Sequence, residues 1–204
     1  IGNSSGVSMD NDRSIAGTLT LTNGPFSIGT RILTLNGSLV KTSGYLNGGS
    51  SSAIVAGGSS PTALDLPTVT LGNLTLARGS GLRLTGSVTI YGAMTMTLGA
   101  VSLMPSQVFI YMPGSRLVYN GSVNQTTSAE EFPVLNGPPS IETAKPAGTT
   151  LNLTFNRTLT ENLYLTGGTF AIGANTLTIQ GLIIRTSGEM TGGGSSNLAF
   201  TGSA

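Results

Sequence analysis

The 204-residue chain contains no cysteine, no histidine and no tryptophan. Without cysteine there is no disulfide framework, no thiol nucleophile and no thiolate metal site. Without histidine, imidazole general-base chemistry and histidine-dependent triads are excluded. Charge is scarce as well: 8% of residues, against about 25% in ordinary soluble domains. Nine Lys/Arg and eight Asp/Glu leave a net charge of +1 with no basic run, so the clustered cations that nucleic-acid binding needs are missing. No window approaches the roughly 20 apolar residues of a membrane helix, and membrane insertion is not expected. The chain opens on Ile1 with no signal-peptide pattern visible in it, and it is read as a mature or excised segment.

What is present is repetition. Residues 13–60 and 157–204 align without a gap at an offset of 157 − 13 = 144. Arg13 meets Arg157, Leu19 meets Leu163, Phe26 meets Phe170, Leu33 meets Leu177 and Gly37 meets Gly181. Thr42-Ser43-Gly44 meets Thr186-Ser187-Gly188, and Gly48-Gly49 meets Gly192-Gly193. A weaker copy, residues 88–103, matches 157–172 at an offset of 157 − 88 = 69, placing Met94 and Met96 where Leu163 and Leu165 stand. Units of roughly 72 residues follow, with boundaries near 13–84, 85–156 and a partial 157–204. A third unit that stops part-way leads to the expectation of a longer protein or a stacked one.

Within each unit, aliphatic residues alternate with Thr, as in Thr18-Leu19-Thr20-Leu21-Thr22 and Thr176-Leu177-Thr178-Ile179. Period two puts Leu, Ile, Val and Met on one face of a strand and Thr on the other. Gly, Asn and Ser punctuate the runs, as turn residues do. The one helix-like stretch is 126–132, where Ser128 would cap a short turn that Pro133 ends. The fold expected is all-β, a right-handed parallel β-helix (β-solenoid) in which each coil packs on a similar coil. Phe26 and Phe170 then belong to the core. Tandem β-sandwiches are the alternative, although the immunoglobulin type carries a buried Trp and none is present.

The segments Phe26–Gly37 and Phe170–Gly181, together with 172–198 and 66–76, resemble the repeats of very large surface proteins of Bacteroidota. The resemblance covers most of the chain and is weakest at 104–150. It implies an exported protein, often one carried by type IX secretion, that acts as an adhesin or gliding-associated surface fibre. No type IX sorting domain is visible. Extracellular or cell-surface localisation follows from the resemblance, with neighbouring repeats or subunits of the same protein, and surface glycans, as the implied partners.

Reactive chemistry is thinly provided, and no catalytic, cofactor-binding or metal site is expected. The carboxylates that a glycosidase would pair are Asp10, Asp12, Asp65, Glu130, Glu131, Glu142, Glu161 and Glu189. Adjacency of Glu130 and Glu131 is not a catalytic geometry. Asp10-Asn11-Asp12 offers oxygen ligands for Ca²⁺ but fewer than the six or more such a site takes, and it reads as a solvated turn. Gly79-Ser80-Gly81 lacks the helix and Lys of a phosphate loop. Asn73, Asn120, Asn124, Asn152 and Asn156 open Asn-X-Ser/Thr triplets, which become glycosylation sites only in a source with that machinery.

Three functions compete. A structural, adhesive stalk or fibre leads. A carbohydrate-binding module, or a polysaccharide-degrading β-helix, comes second, with Tyr45, Tyr91, Tyr111, Tyr119 and Tyr164 as the stacking residues if they share one face. Ice binding by outward Thr rows is the least favoured, because Arg83, Tyr91, Tyr111 and Tyr164 are expected to interrupt those rows.

Overall fold

A computed structural model describes residues 1–202. Among these residues there is no helix, and the chain runs as short parallel strands stacked coil on coil, a β-solenoid. The chain divides into two compact units, residues 1–110 and residues 111 onward.

The first unit is built on a ladder of five strands, Arg13–Ile15, Ile32–Leu35, Ala53–Ala56, Asn73–Ala77 and Ala93–Leu98. All pairings are parallel, and Leu33, Ile54, Leu74 and Met94 stand in register one above the next. The chain therefore returns to the same ladder once per coil, at offsets of 54 − 33 = 21, 74 − 54 = 20 and 94 − 74 = 20. Alternation turns these side chains inward: each is 1% exposed or less, and full burial of one such side chain stabilises by about 1.5–3 kcal/mol. Two further walls complete each coil, one holding Leu19–Leu21 and Leu39–Lys41, the other Pro25–Ser27 and Tyr45–Asn47.

The second unit repeats the plan on the strands Arg116–Tyr119, Ser140–Ala144, Leu163–Gly167 and Ile183–Arg185. Its steps are wider at first. Leu117 pairs with Ile141 at an offset of 141 − 117 = 24, and Ile141 with Leu163 at 163 − 141 = 22. The next step, Leu163 to Ile183, falls back to 183 − 163 = 20. The first of these steps contains residues 127–139, where Ser128 does cap a turn. Phe132 N–H bonds Ser128 O at 3.2 Å, Glu130 N–H bonds Ser128 Oγ at 3.3 Å, and Ser128 N–H bonds Glu131 Oε1 at 2.6 Å. This is a capping box on a single turn, with Pro133 following.

The repeat at offset 144 is reproduced strand for strand and in most of its backbone bonds, although Gly37 N–H reaches Ile15 O where Gly181 N–H reaches Glu161 O. All seven strands from Arg13–Ile15 to Ala53–Ala56 recur at the same offset, ending at Asn197–Phe200. Asn36 N–H reaches Ile15 O, and Gln180 N–H reaches Leu159 O, both at 2.9 Å. Ser52 Oγ accepts Gly49 N–H and donates to Gly29 O, and Ser196 Oγ does the same with Gly193 and Gly173. Gly29 and Gly173 both take φ +64, where a side chain is strained. Gly37 and Gly181 fail to admit a Cβ because it would overlap a carbonyl of the coil below, that of Gly17 or Glu161. Phe26 and Phe170 are both buried. The ladder itself steps by single coils and does not mark out the longer unit read from the sequence.

Candidate functional site

In the first unit the coil-on-coil ladder is interrupted on two walls. Leu39–Lys41 pairs with Leu19–Leu21 on one side but has no ladder with Leu64–Leu66 on the other. Tyr45–Asn47 likewise pairs with Pro25–Ser27 and not with Val69–Leu71. The cause lies at the corner. Three residues, 36–38, connect the second coil's strands there, whereas seven, 57–63, connect Ala56 to Leu64. Pro67 then follows without a backbone N–H.

Arg78 closes the inside of this corner. It continues the inward positions Leu74 and Leu76 and is fully buried. Its Nε donates to Gly57 O at 2.8 Å, and its Nη2 donates to Gly37 O at 2.5 Å and Leu35 O at 3.3 Å. One guanidinium thus ties its own coil to the two before it. Burial pushes its pKa down, and hydrogen bonds from a charged group to buried carbonyls are among the strong ones.

Outside the corner the interruption leaves a cleft of about 780 Å³, lined among others by Val40, Lys41, Tyr45, Asn47, Asp65 and Thr70. A second hollow of about 600 Å³ shares Leu39, Val40 and Asp65 with it and runs on to Arg83. Val40 and Tyr45 are 47% and 48% exposed. Asp65 is engaged by Arg83 through both oxygens, Nε to Oδ1 at 2.7 Å and Nη2 to Oδ2 at 2.5 Å, so its charge is matched. Lys41 has no ion pair or side-chain hydrogen bond among the described residues.

The second unit holds a buried polar cluster instead. Glu131, 2% exposed, accepts Tyr119 Oη–H at 2.7 Å and Ser128 Oγ–H on its carboxylate, while its backbone carbonyl accepts Tyr111 Oη–H at 2.7 Å. Burial, with the Glu131 charge adding to it, pushes both phenol pKa values well above 10.0. Arg157 is 3% exposed, donates Nη1 to Asn156 O at 2.9 Å, and lies 5.2 Å and 5.1 Å from the ring centres of Phe132 and Phe155. Its Nε and Nη2 find no acceptor among the described residues. Lys145, also buried, gives its three donors to Gly121 O, Val123 O and Gln125 Oε1 at 2.7–2.8 Å.

No protein-family model matches the chain, and no curated protein or solved structure does either.

The carboxylates singled out in the sequence are dispersed and mostly engaged by the chain itself. Asp10 pairs with Arg13, whose guanidinium holds the Asp10 carboxyl below its usual range. Asp12 Oδ1 accepts Ile32 N–H at 2.9 Å, a coil-to-coil bond. Glu142 bonds Arg116 and Thr166, and Glu161 accepts Gly114 N–H at 2.8 Å. Among the described residues no group of three or more acidic side chains gathers as a metal cluster would. Asn73, Asn124 and Asn156 use Oδ1 to accept an N–H of the next coil, from Ala93, Thr150 and Thr176. Their triplets sit at structural caps.

The tyrosines do not share a face. Tyr111 and Tyr119 point to Glu131, and Arg116 covers the Tyr164 ring at 4.2 Å, leaving Tyr45 and Tyr91 exposed. The outward rows meet the expectation in part: Arg83 and Tyr164 stand at outward strand positions, between Asp65 and Ser102 and between Glu142 and Ile184. On the first unit's five-strand ladder, Ser14, Thr34, Val55, Thr75 and Thr95 form an outward row with no Arg or Tyr in it. Arg83 lies on the wall of Leu82–Leu84 and Tyr91 in a turn. The buried Arg78, Lys145 and Arg157 were not anticipated. Their signal is period two: each occupies an inward slot of an alternating strand, as in Leu74-Thr75-Leu76-Ala77-Arg78 and Arg157-Thr158-Leu159.

Proposed function

We propose that the chain is a structural, adhesive segment of an extracellular bacterial surface protein, with neighbouring coils of the same protein and surface glycans as its partners. The observation that supports this reading is the recurrence of seven strands, with most of their backbone bonds, at one sequence offset, 157 − 13 = 144. A fold that reuses its corners, caps and inward stacks grows by adding coils, each stabilised by the one before. The small, hydroxyl-rich outward side chains suit a long wet surface with little charge. The resemblance of residues 172–198 to Bacteroidota surface repeats favours a position outside the cell.

The reading is of a non-enzymatic protein. Glu131 is the carboxylate most withdrawn from solvent, and its oxygens are taken up by Tyr119 and Ser128. Beads coated covalently with the chain should stay on polysaccharide films under shear that removes beads coated with an inert protein of similar charge. Equal detachment of both would overturn the adhesive reading. Release of reducing ends or unsaturated sugars from those films by the soluble chain would replace it with an enzymatic one.

A further inference from the structure

We infer that the cleft between Leu39–Asn47 and Asp65–Thr70 binds a short acidic oligosaccharide. The inference rests on the adhesive reading and names its ligand and its site.

The cleft lies where two pairs of strands run without a ladder between them. One flank carries apolar surface: the half-exposed Tyr45 ring with Val40 nearby in the same lining. An aromatic face next to an aliphatic side chain receives the C–H face of a sugar ring by burying area on both. Around it stand polar groups with no partner among the described residues, namely Asn47 Oδ1, the Lys41 ammonium and the hydroxyls of Thr70 and Thr85. The Asn47 amide is held in place, since its Nδ2 donates to Ser27 Oγ at 3.1 Å, leaving the oxygen to accept from a ligand hydroxyl. A few fixed polar groups beside an apolar surface are the composition of a small-ligand site.

Two observations narrow the occupant. The Cα atoms of Leu39–Lys41 and Leu64–Leu66 approach within 8 Å, as do those of Tyr45–Asn47 and Val69–Leu71. An inserted peptide strand needs two ladder spacings, about 9.6 Å, so strand addition does not fit and a ligand must lie across the cleft. The second is charge. Arg83 neutralises Asp65, and Lys41 is left as the uncompensated charge in the lining, which favours a carboxylate on one sugar unit. The hollow that continues from Val40 and Asp65 to Arg83 lengthens the path beyond one sugar. The repeat supplies an internal control. At the positions equivalent to Tyr45 and Asn47 the second copy carries Glu189 and Thr191, so the second copy lacks both the aromatic and the amide.

Amide chemical-shift titration of the intact chain tests this, with a tetrasaccharide of mannuronic acid as probe and cellotetraose as the neutral comparison. The uronate should give saturable shifts confined to Val40–Gly48 and Asp65–Thr70, with cellotetraose binding about tenfold more weakly. Tyr45→Glu and Lys41→Gln, both at exposed positions, should each weaken the uronate about tenfold while leaving the other amides in place. Absence of shifts, shifts outside the cleft, or an affinity that both variants leave intact would overturn the site. Saturation by an extended peptide instead would replace the ligand class. If coated beads adhere while the cleft stays silent, the site fails and the adhesive reading survives; cleft binding without adhesion gives the reverse.

Discussion

Arg13 and Arg157 occupy the same place in the two copies of the repeat, yet one is in water and the other in the core. Arg13 opens the first ladder, more than a third exposed, with the surface carboxylate of Asp10 as its partner. Arg157 starts its strand in the same register but lies beneath Phe132 and near Phe155, with two nitrogens unmatched. The local backbone is common to both. What differs is the segment that precedes it. The 127–139 excursion folds Glu131 and Phe132 over the second arginine, whereas the first pairs with Asp10 three residues before it. The repeat therefore carries over its strands and most of its backbone bonds, while equivalent side chains meet different surroundings in the two copies.

The largest break in this comparison should come from Glu131→Ala. It strips acceptors from Tyr119 and Ser128 and removes the one carboxylate near a buried guanidinium. Leaving a buried charge uncompensated costs about 3–5 kcal/mol, which thermal melting will register as early unfolding of the second unit. Asp10→Ala, its counterpart at the surface, should leave the melting temperature unchanged. Lys145→Met comes next. Three buried or half-buried acceptors lose a charged donor, a loss of about 2–3 kcal/mol, measurable as a lower urea midpoint.

Alkali should separate the units without any mutation. In the folded second unit the Tyr111 and Tyr119 phenols are held neutral, their pKa values raised above the 10.0 of an exposed phenol. Their contribution is complete below pH 10.0. Above it the unfolded chain releases protons that the folded chain retains, so stability falls as pH rises. Amide exchange followed across that range should show protection lost first around Tyr119 and Leu117, and the drop should vanish in Tyr111→Phe/Tyr119→Phe. The smallest effect concerns the uncharged outward row on the first unit. Val55 breaks its run of hydroxyls, and Ile32, 42% exposed, stands on the same strand as Thr34. No gap between freezing and melting temperatures is expected. A gap abolished by Thr75→Lys would make that face an ice-binding surface.

Strand positions, inward residues and corners were legible from alternation and turn residues, and so was the Ser128 cap. The coil was harder to read. Its three sides carry similar strand-turn sections, so self-similarity shows up at any offset that superposes one section on another. The offset of 144 is not a whole number of coils: it lays Arg13–Ile15, from one wall, on Arg157–Leu159, from another. Coil length is set by ladder pairing between backbones, which leaves little mark on residue identity. The cleft was invisible for a related reason. Tyr45 and Asn47 look like any exposed pair until the long corner at 57–63 parts their strand from Val69–Leu71. The dispersal of the other tyrosines likewise depends on which wall each strand joins.

The regular return of the chain to its own ladder also bears on how it folds. Sheets usually join strands far apart in sequence, and all-β domains are slow to form because distant segments must meet first. Here the ladder offsets run from 82 − 64 = 18, between Leu64 and Leu82, to 151 − 125 = 26, between Gln125 and Leu151. That is about a tenth of the chain, a relative contact order typical of helical bundles. Each coil can close on its predecessor as soon as it leaves the ribosome. An all-parallel sheet protein built this way should assemble progressively from one end, with the speed of a locally wired fold.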